Sequence, residues 1–152
     1  MSIQDPQDGV VILPYPDRSL DVTLDRAVTW DGIMLQMGAA DANVDLRELK
    51  VKTIDASVGA SSVTLRVGSK ADNVKVNVSG GATSVVVHVP ANAKVDVDAQ
   101  SGLSAVSVPD TFKHVSGIAV IGDSRWTKSG SGGPNITISL QSGVSSLEII
   151  TD

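Results

Sequence analysis

Apolar and polar residues alternate along most of this chain, in a block that recurs around a glycine. The glycines Gly38, Gly59, Gly81, Gly102 and Gly143 are spaced by 21, 22, 21 and 41 residues, and the last spacing is close to two repeats. A repeat of this length is typical of a solenoid, in which each unit stacks on its neighbours and buries a shared core.

Five positions of the block are apolar in every repeat, and most positions between them are polar. These columns lie five and three residues before the glycine and one, four and six residues after it. A period of two is the strand pattern, and the many Val, Ile and Thr residues suit a pleated, half-buried surface. The first and last columns contain Ile33, Ile54, Val76, Val97 and Ile138, and Val44, Leu65, Val87, Val108 and Ile149.

Each repeat is therefore predicted to form a strand, a corner at the glycine, a second strand and a short turn. The turns are KADN at 70–73, PANAK at 90–94 and PDTFK at 109–113. A glycine suits such a corner because a sharp bend needs either a positive φ or very close packing. The column after the glycine, with Ala39 and Ala60, is expected to face a narrow core.

The predicted fold class is all-β: a single-stranded, β-helix-like solenoid of about five to six rungs with a period of about 21 residues. Successive repeats are expected to be parallel neighbours. Residues 1–26 are interpreted as a leader and lead-in strand, and residues 27–152 as the β-solenoid, within a single domain. Residues 109–135 are irregular, and their pattern fits either a further rung or a loop. This segment and the acidic lead-in are candidate caps for the open ends of the stack.

Composition narrows the choice of partners. The net charge is −5 and Lys and Arg are scattered, which argues against nucleic acid and anionic membrane surfaces as partners. The chain has no cysteine, so disulfides, zinc thiolate sites and thiol nucleophiles are excluded. No apolar run is long enough to span a bilayer. Membrane attachment would need segments absent from this chain, and the protein is either cytoplasmic or a soluble piece of a longer envelope protein.

Candidate chemistry is sparse. We identify no catalytic residues, no cofactor-binding motif and no cofactor requirement. The outward column of Asp55, Asn77 and Asp98 is expected to stack on adjacent rungs about 5 Å apart. Such a column could hold a hard cation such as calcium or serve a polysaccharide-cleaving site. A charged face that only contacts solvent would show the same column of residues. Asp55 and Asp98 are therefore no more than candidate metal ligands.

The few aromatic residues lie outside the regular repeats. Trp126 and Phe112 belong to the irregular segment, and Trp30 follows the lead-in. These rings either cover the core or act as anchors for a partner, as exposed aromatics do at interfaces. Trp126 and Phe112 are therefore the candidate interaction residues.

Three stretches together resemble a known bacterial group. They are DLRELKVKTIDASVGASSVTLRV, VHVPANAKVDVDAQSGLSAVSV and ITISLQSGVSSLEI. This pattern of glycine-centred strands is similar to the toast-rack and "putative adhesin" group, which includes the C-terminal domain of LiaF-type cell-wall-active antibiotic response proteins. The resemblance covers about residues 27–152 and implies a β-solenoid-like domain, commonly joined to membrane-spanning segments. It also implies a role in envelope-stress signalling or surface interaction without enzymatic activity.

Three functions follow as hypotheses. The first is a non-catalytic module of the bacterial envelope that binds a protein, a copy of itself or a cell-surface polymer. The second is a small carbohydrate-active β-helix enzyme that uses the Asp55/Asp98 column. The third is a cytoskeletal solenoid that polymerises end to end. The first is favoured, because the core columns are regular and the titratable residues do not converge.

Overall fold

The computed structural model describes residues 10–12, 26–39, 41–117 and 122–152. The leader and most of the lead-in strand that the sequence predicts within residues 1–26 therefore lie outside the described residues. The described part consists of strands and turns. Its strands are β1 (Val10–Ile12), β2 (Thr29–Met37), β3 (Ala42–Leu46), β4 (Lys50–Val67), β5 (Asn73–Val89), β6 (Lys94–Ser107), β7 (Lys113–Gly117), β8 (Gly122–Lys128) and β9 (Asn135–Thr151).

The all-β prediction is confirmed, and the long strands pair mostly in parallel. β2 and β3 both lie beside β4, which pairs with β5 on its other side. The equivalent columns lie in register, so that Ile54 is flanked by Ile33 and Val76. Two parallel-rich layers result, in a solenoid-like arrangement.

The order of the strands differs from the expected stacking of successive repeats. The order is β1-β2-β4-β5-β9-β6-β8-β7, with β3 also paired to β4. The last repeat, β9, is inserted in parallel between β5 and β6, so that Ile138 lies between Val76 and Val97. Because every repeat carries the same apolar columns, β9 fits this place as well as it would fit the end of the stack.

The core lies between the two halves of each long strand. Val63 lies five positions after Val58, an odd offset, so a flat strand would turn the two side chains to opposite faces. Both are buried in the same cluster, with exposed fractions of 4% and 2%. The strand must therefore bend between them, and the bend falls at Gly59.

The predicted inward column after the glycine is wrong at two of its positions. Ala39 and Ala60, which directly follow Gly38 and Gly59, are exposed rather than directed into the core. The residue before the corner is the inward one, as Val58 shows. A strand that folds around its core places the residues at the apex of the bend on the convex, solvent side.

The glycines stack directly on one another at the bend. A Cβ on Gly59 would lie 2.5 Å from the carbonyl oxygen of Gly38, and a Cβ on Gly102 would lie 3.0 Å from that of Gly143. Among the described residues, positive φ occurs at Gly117 and Gly132, outside this column. At Gly59 and Gly102 the glycine is therefore required by close backbone approach rather than by a left-handed conformation.

The irregular segment forms an antiparallel pair at one end of the stack. β8 pairs with the first half of β6, from Val95 to Ser101, and β7 pairs with β8. Residues 118–121 of this segment lie outside the described residues. The segment thus covers half of an otherwise open strand edge, in the capping role expected for it.

A buried lysine holds this cap to the stack. Lys128, at the end of β8, is 5% exposed. Its Nζ donates hydrogen bonds to the carbonyl oxygens of Ala91 and Ala93 at 2.6 and 2.9 Å. The turn that receives them is closed by a hydrogen bond from the Ala93 amide to the Pro90 carbonyl at 3.0 Å. The ammonium group thus has the acceptors that a buried charge requires.

Candidate functional site

The predicted Asp55–Asn77–Asp98 column is interrupted. Asp55 lies beside Asn77, but Ser139 on the inserted strand β9 lies between Asn77 and Asp98. Three strand spacings separate the two aspartates, which is about 14 Å. Two carboxylates that share a glycosidic bond lie roughly 5 to 9.5 Å apart, so these two do not form such a pair.

Each of these aspartates has its own polar partner. Asn77 donates a hydrogen bond from Nδ2 to Asp55 Oδ1 at 2.6 Å. Arg125 on β8 donates to Asp98 Oδ2 at 2.9 Å. Within the described residues, no group of three or more His, Asp or Glu side chains is arranged to hold a metal ion.

The two aromatic candidates occupy different environments. Phe112 is 6% exposed and belongs to the core cluster. Trp126 is half-buried, packs against the same cluster and lies with its ring centroid 4.5 Å from that of His114. Of the two rings, Trp126 therefore keeps part of its surface available to a partner.

Two contacts to aspartate carboxylates hold the chain at the surface. His88 Nδ1 lies 2.9 Å from a carboxylate oxygen of Asp152, near the end of β9. Arg47 holds both carboxylate oxygens of Asp45, at distances of 2.6 and 3.0 Å. The hydrogen bonds from the Arg47 side chain lower the pKa of Asp45 to about 2. Both pairs lie at strand ends and organise the local chain rather than a reactive centre.

A basic cleft lies where four neighbouring strands begin. Its volume is about 640 Å³. Lys50 and Lys52 come from the start of β4, Lys75 from β5, and Lys70 from the turn between these strands. The remaining lining residues are Thr29, Ala71, Asp72, Asn73, Val74, Asn135 and Thr137.

The sequence interpretation missed this cleft, because it treated the basic residues as scattered. Lys50 and Lys75 are far apart along the chain, yet their strands are direct neighbours in the sheet. A signal was present in the repeat itself: Lys50, Lys52, Lys75 and Lys94 all lie six to nine residues before a repeat glycine. Residues at equivalent positions of stacked repeats meet at one edge of the structure.

Comparison with known proteins places this arrangement in a family. The parallel-rich stack with a glycine column defines an all-β, solenoid-like domain. The family described as "N-terminal domain of toast_rack, DUF2154" matches residues 1–88. This match covers more than half of the chain, and the chain therefore belongs to that family. The toast-rack resemblance inferred from the sequence is confirmed.

A solved structure is similar over most of this chain. It is the crystal structure of a "putative cell adhesion protein" from Clostridium sporogenes, with a TM-score of 0.67 and 27% sequence identity. The similarity covers 80% of this chain and 55% of that protein, so this chain spans about half the length of the relative. The comparison with curated proteins gives no match.

Proposed function

We propose that this protein is a non-catalytic module of the bacterial cell envelope that binds a protein or polymer partner, in adhesion or envelope-stress signalling. The observation that carries the proposal is the similarity to the Clostridium sporogenes protein, which is described as a "putative cell adhesion protein". The stacked strands support it, because a parallel-rich stack presents long, regular faces of the kind used for extended binding surfaces. The finer architecture that we propose is a single-stranded, β-helix-like solenoid of about five to six rungs with a period of about 21 residues.

The outward side chains favour binding over catalysis. Asp55 and Asp98 are about three strand spacings apart and each is engaged by another residue. A carbohydrate-cleaving mechanism needs an acid and a second carboxylate on one scissile bond. The function that we propose therefore needs no cofactor and no catalytic residue.

We place the protein outside the cytoplasm, as a soluble part of a longer envelope protein. Among the described residues, no helix is long and apolar enough to cross a bilayer. Attachment would then come from segments outside this sequence. Partners of the module would be another protein, a second copy of the chain or a polymer of the cell surface.

Sedimentation with washed cell walls tests this function. We expect the purified protein to sediment with Clostridium sporogenes cell walls and to release no reducing sugar from them. A protein of similar size and charge with an unrelated fold serves as the control for trapping. Polysaccharide cleavage that disappears in Asp55→Ala or Asp98→Ala would contradict the non-catalytic role, and a protein that stays wholly in the supernatant would contradict binding to a polymer of the cell wall.

A further inference from the structure

The basic cleft concentrates positive charge on a protein that is otherwise strongly acidic. Among the described residues, four lysines and one aspartate line the cleft, which gives this lining a formal charge of +3. The rest of the chain then contains eight basic and sixteen acidic residues, a charge of −8, for the total of −5. A cleft with one sign of charge focuses the electric field and raises the local concentration of ions of opposite sign.

Most of this positive charge is available to a ligand. Lys52 Nζ lies 2.5 Å from Asp31 Oδ1 and is therefore paired. Lys50, Lys70 and Lys75 are exposed, and none of them forms an ion pair with another described residue. Three ammonium groups thus face solvent around one cavity.

The shape of the cleft suits an extended ligand better than a single ion. Its lining comes from the beginnings of β2, β4, β5 and β9, which are neighbours in that order. Three strand spacings give a length of about 14 Å. Several anionic groups on one chain could therefore contact the cleft together, with lining Thr and Asn side chains to hydrogen-bond the groups between them.

The residue types define the chemistry of that ligand. The described residues of the lining include lysine but no arginine. Lysine binds phosphate and carboxylate as a point charge on a flexible stem, without the fixed fork of arginine. Among the described residues, no aromatic side chain lines the cleft either, so this lining offers no stacking surface to the bases of a nucleic acid.

We propose that this cleft binds a linear polyanion that carries repeated phosphate or carboxylate groups and no stacking bases. This inference rests on the proposed function, for which it names the site and the chemical class of the polymer. The lysines supply the attraction, and the strand spacing sets the length of chain that is held.

Binding of defined polymers tests the proposal. Long-chain inorganic polyphosphate and polygalacturonate serve as probes for the two kinds of anion, and affinity is measured by calorimetry over a range of salt concentrations. For three lysine contacts we expect the logarithm of the association constant to fall with that of salt with a slope of about −2. The variant Lys70→Gln/Lys75→Gln should bind about tenfold more weakly and with a shallower slope.

A second double variant provides the matched control. Arg66→Gln/Lys113→Gln also removes two positive charges, at positions that do not line the cleft, and it should bind as the native protein does. Both variants should unfold at the same temperature as the native protein, which shows that each is folded.

The proposal is overturned if neither polymer binds, if both variants lose affinity equally, or if a thymidine oligonucleotide binds as tightly and with the same lysine dependence. Cell walls that retain Lys70→Gln/Lys75→Gln as well as the native protein would overturn this inference while leaving the proposed function intact.

Discussion

Replacement of Val87 by aspartate should destabilise the protein by about 4 kcal/mol or more, which is a large share of the stability of a typical domain. Val87 is fully buried, with an exposed fraction of 0%, and lies between Leu65 and Ile149 on the neighbouring strands. The cluster around it is apolar, so an ionised carboxylate would lose its hydration without gaining a partner.

Urea denaturation followed by circular dichroism measures this loss. The control is Ser84→Asp, which adds the same charge to the same strand at an exposed position. We expect the control to change stability by less than about 0.5 kcal/mol, as is usual for surface substitutions. A Val87→Asp protein that unfolds at the same urea concentration as Ser84→Asp would show that Val87 does not face the core.

The second large effect is expected at the glycine column. In Gly59→Ala, the new methyl carbon would lie 2.5 Å from the carbonyl oxygen of Gly38. The backbone fixes the positions of both atoms, so no side-chain rotation can separate them. Relief of this contact requires the neighbouring strands to move apart. We expect a loss of about 1 to 3 kcal/mol, the usual cost of overpacking a well-packed interior.

Gly38→Ala is the matched control for this substitution. A Cβ on Gly38 would meet no atom within 4 Å, although the residue occupies the same place in its repeat. Alanine there should be neutral or slightly stabilising, because it restricts the unfolded chain. The free energies of unfolding of the two variants decide the point: equal values would mean that strand contact does not explain the repeated glycine.

The sequence predicted the core because alternation and repetition act together. Columns such as Ile33–Ile54–Val76 are apolar in every repeat, and a period of two then determines which side chains face inward. The position of the bend was predicted incorrectly, because the residue after the glycine is apolar in every repeat, whereas the residue before it varies from Val58 to Ser101. The structure buries Val58 and exposes Ala60, and only the path of the backbone distinguishes them.

The order of the strands could not be read from the same pattern. Val76 can pack equally well against Val97 or Ile138, because both carry the same type of apolar side chain in the same column. The irregular segment between β6 and β9 is long enough for the chain to return to the place between β5 and β6. Its strand β8 pairs with the outer edge of β6. The insertion of β9 between β5 and β6 splits the Asp55–Asn77–Asp98 column and brings Asn135 and Thr137 to the basic cleft.

The central claim is therefore that β9 lies between β5 and β6, and engineered disulfides test it directly. The chain contains no native cysteine, so two introduced thiols have no competitors. Ser79 is paired with Gln141 on β9, and Gln141 is paired in turn with Gln100 on β6. All three positions are exposed. Neighbouring strands lie within the reach of a disulfide, whereas a separation of two strand spacings, about 9.6 Å, exceeds it.

The measurement is the extent of intramolecular disulfide formation under mild oxidation, read as the mass lost and as resistance to thiol labelling. The protein with Ser79→Cys and Gln141→Cys should oxidise readily, and the protein with Ser79→Cys and Gln100→Cys should remain reduced. Efficient oxidation of the second protein and not of the first would place β6 directly beside β5 and would contradict the account.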